Sequence, residues 1–462
     1  MDEIRETNVK NLWKLSYPMM VSFFSMMLMI FVDRIFLSWR STESLNAGTQ
    51  AGTLSWGIIL GWLTMGAMSE VLVSQLNGAK KYKSIGTPVW QMIWFCFASF
   101  LFFIPMAIWG AKIIYNPLLQ TEAFLFLRTL LFFGPITALV PAIGGFYVGI
   151  GKTQILQWMA ITGNIVNIIL DYILIFGVEG LIQPLGIVGA GIATGIGSLI
   201  QCVILFICFI NKNNRTKYGT ASIGFNYEIF KKTFKIGLPP SIFISLEFIG
   251  WAVFYHIMAS ISQLHIFVAS ICQSIFLLFL FFGCGLEKGV ISMSGNLIGA
   301  NLHDKISEVV LSGIKLLTLY SIFAAIFLVI YPNPLIDWFI SNKEISNIGT
   351  YQEIKHSIRI GLIFSFFLLI FENIRWIFSG ILTSVGDTVF LLLSGTFNVW
   401  FILIIPTYLF TFKIKSDILY SFFIWIIYGL ISTIVIYLRF TQGKWKKHLL
   451  SVDNKQIINH NS

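Results

Sequence analysis

Long apolar runs recur along this chain with few charges inside them. They cover roughly residues 14–37, 49–74, 89–112, 125–149, 154–177, 187–210, 238–260, 264–295, 311–332, 358–383, 388–411 and 418–438. A helix needs about 20 mainly apolar residues to cross a bilayer, so the runs predict an all-α polytopic membrane protein with twelve transmembrane helices. Continuous runs rather than alternating ten-residue segments disfavour a barrel. Only 11% of the 462 residues are charged, against about 25% in a soluble domain. That leaves too little polar surface for a soluble enzyme, a nucleic-acid-binding domain, a disordered chain or a disulfide scaffold. The five cysteines lie inside apolar runs without metal or redox spacing, as small buried hydrophobes do.

The net charge of +10 finds its explanation in where the charges sit. With the N-terminus inside, the segments on that side hold Arg5, Lys10, Lys14, Lys80, Lys81, Lys83, Lys152, Lys212, Arg215, Lys217, Lys231, Lys232, Lys235 and Lys305, and the tail adds Arg439, Lys444, Lys446, Lys447 and Lys455. The opposite side holds Arg40, Lys112, Lys343, Lys355, Lys413 and Lys415. A bias of about three to one predicts that both termini are cytoplasmic. Met1-Asp2-Glu3 opens without a basic n-region or a small-residue cleavage site, so the first run is expected to remain as a helix rather than leave as a signal peptide.

The two halves repeat each other. Lys14-Leu-Ser-Tyr-Pro18 and Lys235-Ile-Gly-Leu-Pro239 open spans one and seven; Leu76-Asn-Gly-Ala79 and Leu297-Ile-Gly-Ala300 close spans two and eight. Gly151-Lys-Thr153 and Gly386-Asp-Thr388 join spans four to five and ten to eleven. Six spans per half is an even number, so both halves enter the membrane the same way, as two pseudo-symmetric bundles about an axis along the membrane normal. The expected division is a cytoplasmic N-terminus at 1–13, an N-lobe at 14–210, a cytoplasmic linker at 211–235, a C-lobe at 236–439 and a cytoplasmic tail at 440–462. The polar segment 333–356 is expected on the outside.

Six carboxylates fall within the runs: Asp33, Glu70, Asp171, Glu247, Glu287 and Glu372. An ionised side chain at the bilayer centre costs about 2.5–3.5 kcal/mol on insertion scales, so these must face a cavity, pair or be neutralised. Asn167 and Asp171 are four apart and share a helix face. An amide oxygen beside a carboxylate can hold a small cation, or a proton on the acid; the alternative is a polar pair bonding between helices. Arg375, three residues after Glu372, is placed to pair with it and hold it ionised. Glu70 and Glu287 sit near span ends, as gate or interface residues. Trp56, Trp62 and Trp251 offer faces to an organic cation. No H-E-x-x-H, G-x-S-x-G, P-loop or C-x-x-C motif is present, so no enzyme activity, no cofactor and no ATP are expected, and an ion gradient is the expected drive.

The stretches Tyr17-Pro18 through Val32-Asp33, Gln75-Leu-Asn-Gly-Ala79, Asn167 through Gly177, Gly186 through Thr194, Gly237-Leu-Pro239 through Glu247 and Gly380 through Thr388 together resemble the multidrug and toxic compound extrusion (MATE) family over about residues 12–440. The resemblance implies a twelve-helix, two-lobe, MATE-like fold. It implies a secondary active antiporter exporting organic cations or drugs in exchange for H⁺ or Na⁺ by alternating access. It implies an N-lobe cation or proton site at Asp33, Asn167, Asp171 and Thr194 and a C-lobe site at Glu247 and Glu372, with no metal beyond Na⁺ there. The expected partners are a cationic amphipathic small molecule and the lipid bilayer, without nucleic acid, for a monomer in a bacterial inner membrane. The alternative is a lipid-linked oligosaccharide flippase of the same superfamily, which would favour a basic cavity; Arg128, Lys288, Arg359 and Arg375 are the residues available to line one.

Overall fold

The computed structural model describes residues 6–118, 120–340, 350–413 and 417–448. Among these, twelve helices are long and apolar enough to cross a membrane: α1 (Val9–Arg40), α2 (Glu43–Gly78), α3 (Tyr82–Ile114), α4 (Thr121–Gly149), α5 (Gln154–Phe176), α6 (Ile187–Phe209), α7 (Tyr227–Ile261), α8 (Gln263–Gly299), α9 (His303–Ile330), α10 (Tyr351–Val385), α11 (Thr388–Lys413) and α12 (Ile418–Thr441). The expected twelve spans are all present, several longer than their apolar runs. Polar caps rather than hydropathy set those ends: Asn8 starts α1 by accepting from Asn11 N, and Asn226 starts α7 by accepting from Ile229 N. The basic stretch 211–235 is therefore a linker only to residue 226. It contains a short helix, Lys212–Tyr218, and is strapped to α3, with Trp90 Nε1 donating to Thr220 O at 2.9 Å and Trp94 Nε1 to Ile223 O at 3.0 Å. Residues 341–349 of the expected outer segment, and 1–5 and 449–462 of the termini, lie outside the described residues. The short helix Asn333–Ile340 is tied back to α10 by Lys355 Nζ on Asp337 at 2.6 Å. Lys355 and Tyr351 hold the Asp337 carboxyl below its ordinary range.

The repeat seen in the sequence is a repeat of geometry. After α2, Lys80 adopts a positive φ of 59°, and after α8, Asn301 adopts 58°. Each ends its helix with the same pair of bonds: Lys80 N to Asn77 O and Lys81 N to Leu76 O, against Asn301 N to Ile298 O and Leu302 N to Leu297 O. This is the helix-ending motif that caps the last carbonyls through a left-handed residue. Gly151 (φ 73°) and Gly386 (φ 88°) end α4 and α10 in the same way, at positions where a side chain is strained. Packing follows the repeat: α2 lies on α4, α4 on α6, α5 on α6 and α1 on α5, and correspondingly α8 on α10, α10 on α12, α11 on α12 and α7 on α11. Across the junction α1 packs on α8 and α2 on α7, the crossed pairs that a two-fold relation between bundles requires.

The lobes meet at one end. Residues Ser69 to Gly78 of α2 are all buried, against the Gly-rich, polar last turns of α8. Ser292 Oγ donates to Val148 O at 2.5 Å, Asn296 Nδ2 to Gly149 O at 2.9 Å, Asn77 Nδ2 to Asn296 Oδ1 at 2.7 Å and Gln75 Nε2 to Ser384 O at 2.7 Å. Lobe-to-lobe contacts reach along α2 as far as Gly57, beside Phe248 of α7; beyond it Gly48 lies on Leu37, Gly52 on Phe126, Gly250 on Val399 and Gly361 on Cys272, each within its own lobe. Part of the Gly and polar sequence that interrupts runs two and eight thus serves the lobe interface: Gly61 lies on Ser241, Gly289 on Ser16 and Gly295 on Ser74. A Cβ on Gly78 would stand 2.0 Å from Asn296 O, a backbone atom that cannot swing away. Gly78→Ala is therefore expected to destabilise the protein by about 1–3 kcal/mol, read as a lower melting temperature in detergent. Gly224→Ala, where nothing lies within 4 Å, should leave it unchanged.

Candidate functional site

The buried face of α5 is the stripe Leu156, Ala160, Gly163, Asn164, Asn167, Asp171 and Ile175, three- and four-residue steps that place all of them on one side of a helix. Its polar members face α1 and α6. Asp171 is fully buried, and its carboxyl stands within hydrogen-bonding range of Asp33 on α1. Asn167 Nδ2 reaches Thr194 Oγ1 on α6 at 3.5 Å. The four residues expected to form the N-lobe site are thus gathered from three helices into one cluster. Asp33 Oδ1, both Asp171 carboxyl oxygens and Asn167 Oδ1 are buried without a hydrogen-bond partner among the described residues. Two adjacent carboxylates accept but cannot donate. A like-charged pair with no donor, taken out of water, is stable only with a cation or a proton between its oxygens.

The C-lobe acids are organised differently. Arg375 on α10 donates to Glu372 Oε2 from Nε at 2.9 Å and Nη2 at 2.5 Å, and Nη2 also reaches Glu247 Oε1 on α7 at 3.3 Å. Trp376 Nε1 adds a bond to Glu372 Oε2 at 3.3 Å, and Tyr428 Oη on α12 one to Glu247 Oε1 at 3.2 Å. Glu247 and Glu372 are therefore brought together, as the resemblance implies, but around a guanidinium whose charge is permanent. Sequence spacing exposed the Arg375–Glu372 half of this triad. Glu247, Trp376 and Tyr428 as its partners were not foreseen: Trp376, four residues from Glu372, was open to the same spacing argument, while the other two lie on α7 and α12.

Glu70 and Glu287 lie at the closed end. Glu70, 1% exposed, accepts from Lys288 Nζ at 2.7 Å, an ion pair from α2 of one lobe to α8 of the other. Lys288 stands beside Glu287 in sequence, yet its carboxylate partner is 218 residues away, which nothing local reveals. Glu287 packs within its own lobe against Gly380. Trp62 stacks on Phe95 at 5.1 Å and Trp251 meets Trp425 edge-on at 5.7 Å, so both rings serve helix packing. A groove of about 540 Å³ between α1, α8 and α9, lined by Trp13, Tyr17, Phe24, Phe282, Tyr320 and Phe323 among others, has an apolar wall suited to acyl chains rather than ions.

Two six-helix bundles in parallel repeat, closed on each other at one end with acids buried in their interiors, define an integral multi-pass membrane transport protein. The MatE family model matches residues 18–173 and 240–409, well over half of the chain, and the chain belongs to that family, whose members are transporters and not enzymes. Solved structures agree in fold. An outward-facing multidrug resistance MATE family transporter of the MOP superfamily superposes with a TM-score of 0.84 at 19% identity, over 97% of this chain and 98% of that one. A MOP superfamily transporter from Pyrococcus furiosus Vc1 (DSM3638), described for the reverse polarity of its binding pocket, gives 0.83 at 19% identity over 96% and 98%. A MATE structure in complex with MaD3S gives 0.84 at 19% over 96% and 98%.

Proposed function

We propose that the chain is a cation-coupled exporter of amphipathic organic cations, and that the coupling H⁺ or Na⁺ binds in the N-lobe between Asp33 and Asp171, with Asn167 and Thr194 completing the oxygen set. The observation that carries this reading is the acidic pair itself: three buried carboxyl oxygens, with Asn167 Oδ1 beside them, have no donor and no basic side chain bonded to them among the described residues. Glu247 and Glu372 are read as a structural ion-paired unit, because Arg375 already supplies the positive charge that a coupling ion would bring. Support for an exporter over a flippase comes from the basic residues. Of the basic residues named for such a cavity, Arg375 and Lys288 are already engaged by glutamates and are not free to bind pyrophosphate. The test is efflux of ethidium from liposomes carrying purified protein, driven by a Na⁺ gradient alone and then by a pH gradient alone. Efflux under one gradient supports the reading; no efflux under either, in correctly inserted protein, overturns it.

On the orientation given by the Lys/Arg bias, the closed end is cytoplasmic and this is the outward-facing arrangement. Inward opening then has to part Glu70 from Lys288, and we read that pair as the cytoplasmic latch. Removing one partner leaves a buried charge uncompensated, at a cost of several kcal/mol, so Lys288→Met should favour the parted state. Spin labels at Lys83 and Lys305, one on each lobe, should show a longer distance distribution in the variant. An unchanged distribution would remove the latch role.

A further inference from the structure

Below the acidic pair the N-lobe carries a second polar cluster. Asn164 Nδ2 donates to Ser25 Oγ on α1 at 2.8 Å, and Gln201 Nε2 on α6 donates to Asn164 Oδ1 at 3.2 Å. The same three helices build both clusters, and the polar residues on each keep one face. On α5 they are Asn164, Asn167 and Asp171; on α6, Thr194, Ser198 and Gln201; on α1, Ser25 and Asp33. Seven residues is about two turns, or roughly 10 Å along the axis. Ser198 fills the level between the clusters, with Thr137 Oγ1 of α4 within 3.4 Å of its hydroxyl. The seam runs from the acidic pair toward the end where α1 and α5 begin. Two glycines make room for it. A Cβ at Gly163 would lie 2.3 Å from Gln201 Cγ, and one at Gly197 3.1 Å from Asn167 Cβ, so the long polar side chains sit in notches cut in the facing helix.

We infer that Ser25, Asn164 and Gln201 form an inner station for the coupling ion, through which a proton carried by water or a small monovalent cation passes between the Asp33–Asp171 pair and the end of the bundle that carries the N-terminus. This rests on the reading of that pair as the ion site. A polar trio that served only to hold three helices together would need one level of contact. Here hydroxyl and amide groups recur at successive turns, on matching faces, in continuity with the unpartnered carboxylates. An ion leaving two carboxylates for hydrocarbon meets a desolvation penalty of several kcal/mol; neutral oxygens one turn apart reduce it. The trio has no fixed charge, so it lets the ion go, which a transit point must do as well as receive.

The test separates binding from passage, in the full-length protein. Equilibrium ethidium binding in detergent, titrated with Na⁺ and with pH, reads the acidic pair; ethidium efflux from liposomes under an imposed gradient reads passage. Gln201→Met and Asn164→Leu should keep the ion dependence of binding within about twofold and slow gradient-driven efflux about tenfold, the change produced when a barrier rises by the net worth of one or two polar contacts. Gln201→Asn, which keeps a neutral amide at this position, should retain most of the rate. Parental efflux in Gln201→Met overturns the inference, as does joint loss of ion-dependent binding and efflux in both apolar variants, which marks a purely structural role. If binding to the parent protein ignores both ions, the acidic-pair reading fails first, and the station falls with it.

Discussion

Asp171→Asn is expected to reduce gradient-driven export by at least about tenfold, equivalent to more than 1.4 kcal/mol of lost coupling, while leaving the protein as stable as its parent or more so. The substitution keeps the shape of the side chain. It replaces one of two facing carboxyls by an amide that donates to Asp33, so a like-charge contact becomes a hydrogen bond. The fold gains what the coupling cycle loses, because the site no longer needs an ion. Glu247→Gln should keep export within about threefold of the parent, since Arg375 remains paired with Glu372. The two variants are compared by ethidium accumulation in a drug-sensitive host at matched membrane expression, with melting temperature measured alongside. Equal export by Asp171→Asn and the parent would reject the N-lobe assignment.

Arg375→Met should produce the largest loss of folded protein. It strips the cation from two buried glutamates and leaves Glu247 only the Tyr428 hydroxyl and Glu372 only the Trp376 ring nitrogen. Breaking a buried ion pair from one side costs about 3–5 kcal/mol. Adding Glu247→Gln and Glu372→Gln removes the uncompensated charge and is expected to recover most of that stability, since a buried ion group replaced as a whole is often neutral in cost. Fluorescence-detected size-exclusion profiles and melting temperatures compare the single and triple variants. The triple variant should still couple export to the ion, because the N-lobe pair is untouched. Recovered stability with lost coupling would move the ion site to the C-lobe.

The membrane class, the spans and the repeat were legible because each rests on local composition. Bilayer thickness fixes run length, and the turn after each of α2 and α8 is written in four residues. The Asn167–Asp171 pairing was legible for the same reason, as one helix face. Asn164 stood in the same stripe and was open to the same argument; Gln201 follows Thr194 by two turns, a weaker signal that points only to a face. The Glu70–Lys288 pair and the joining of Glu247 to Arg375 had no local sign, since the partners lie 218 and 128 residues apart. The ends of α1 and α7 were missed because Asn8 and Asn226 extend those helices into polar sequence that hydropathy excludes.

By itself the amino-acid order determined that this chain crosses a bilayer as two equivalent sets of helices with acids inside them, since hydrophobic run length and helical periodicity are properties of neighbours along the chain. Only the tertiary structure decided which acids are already paired with a fixed cation. Charge compensation depends on a few ångströms between side chains of different helices, and it placed a guanidinium between Glu247 and Glu372 while setting Asp33 and Asp171 beside each other with no basic side chain bonded to either among the described residues.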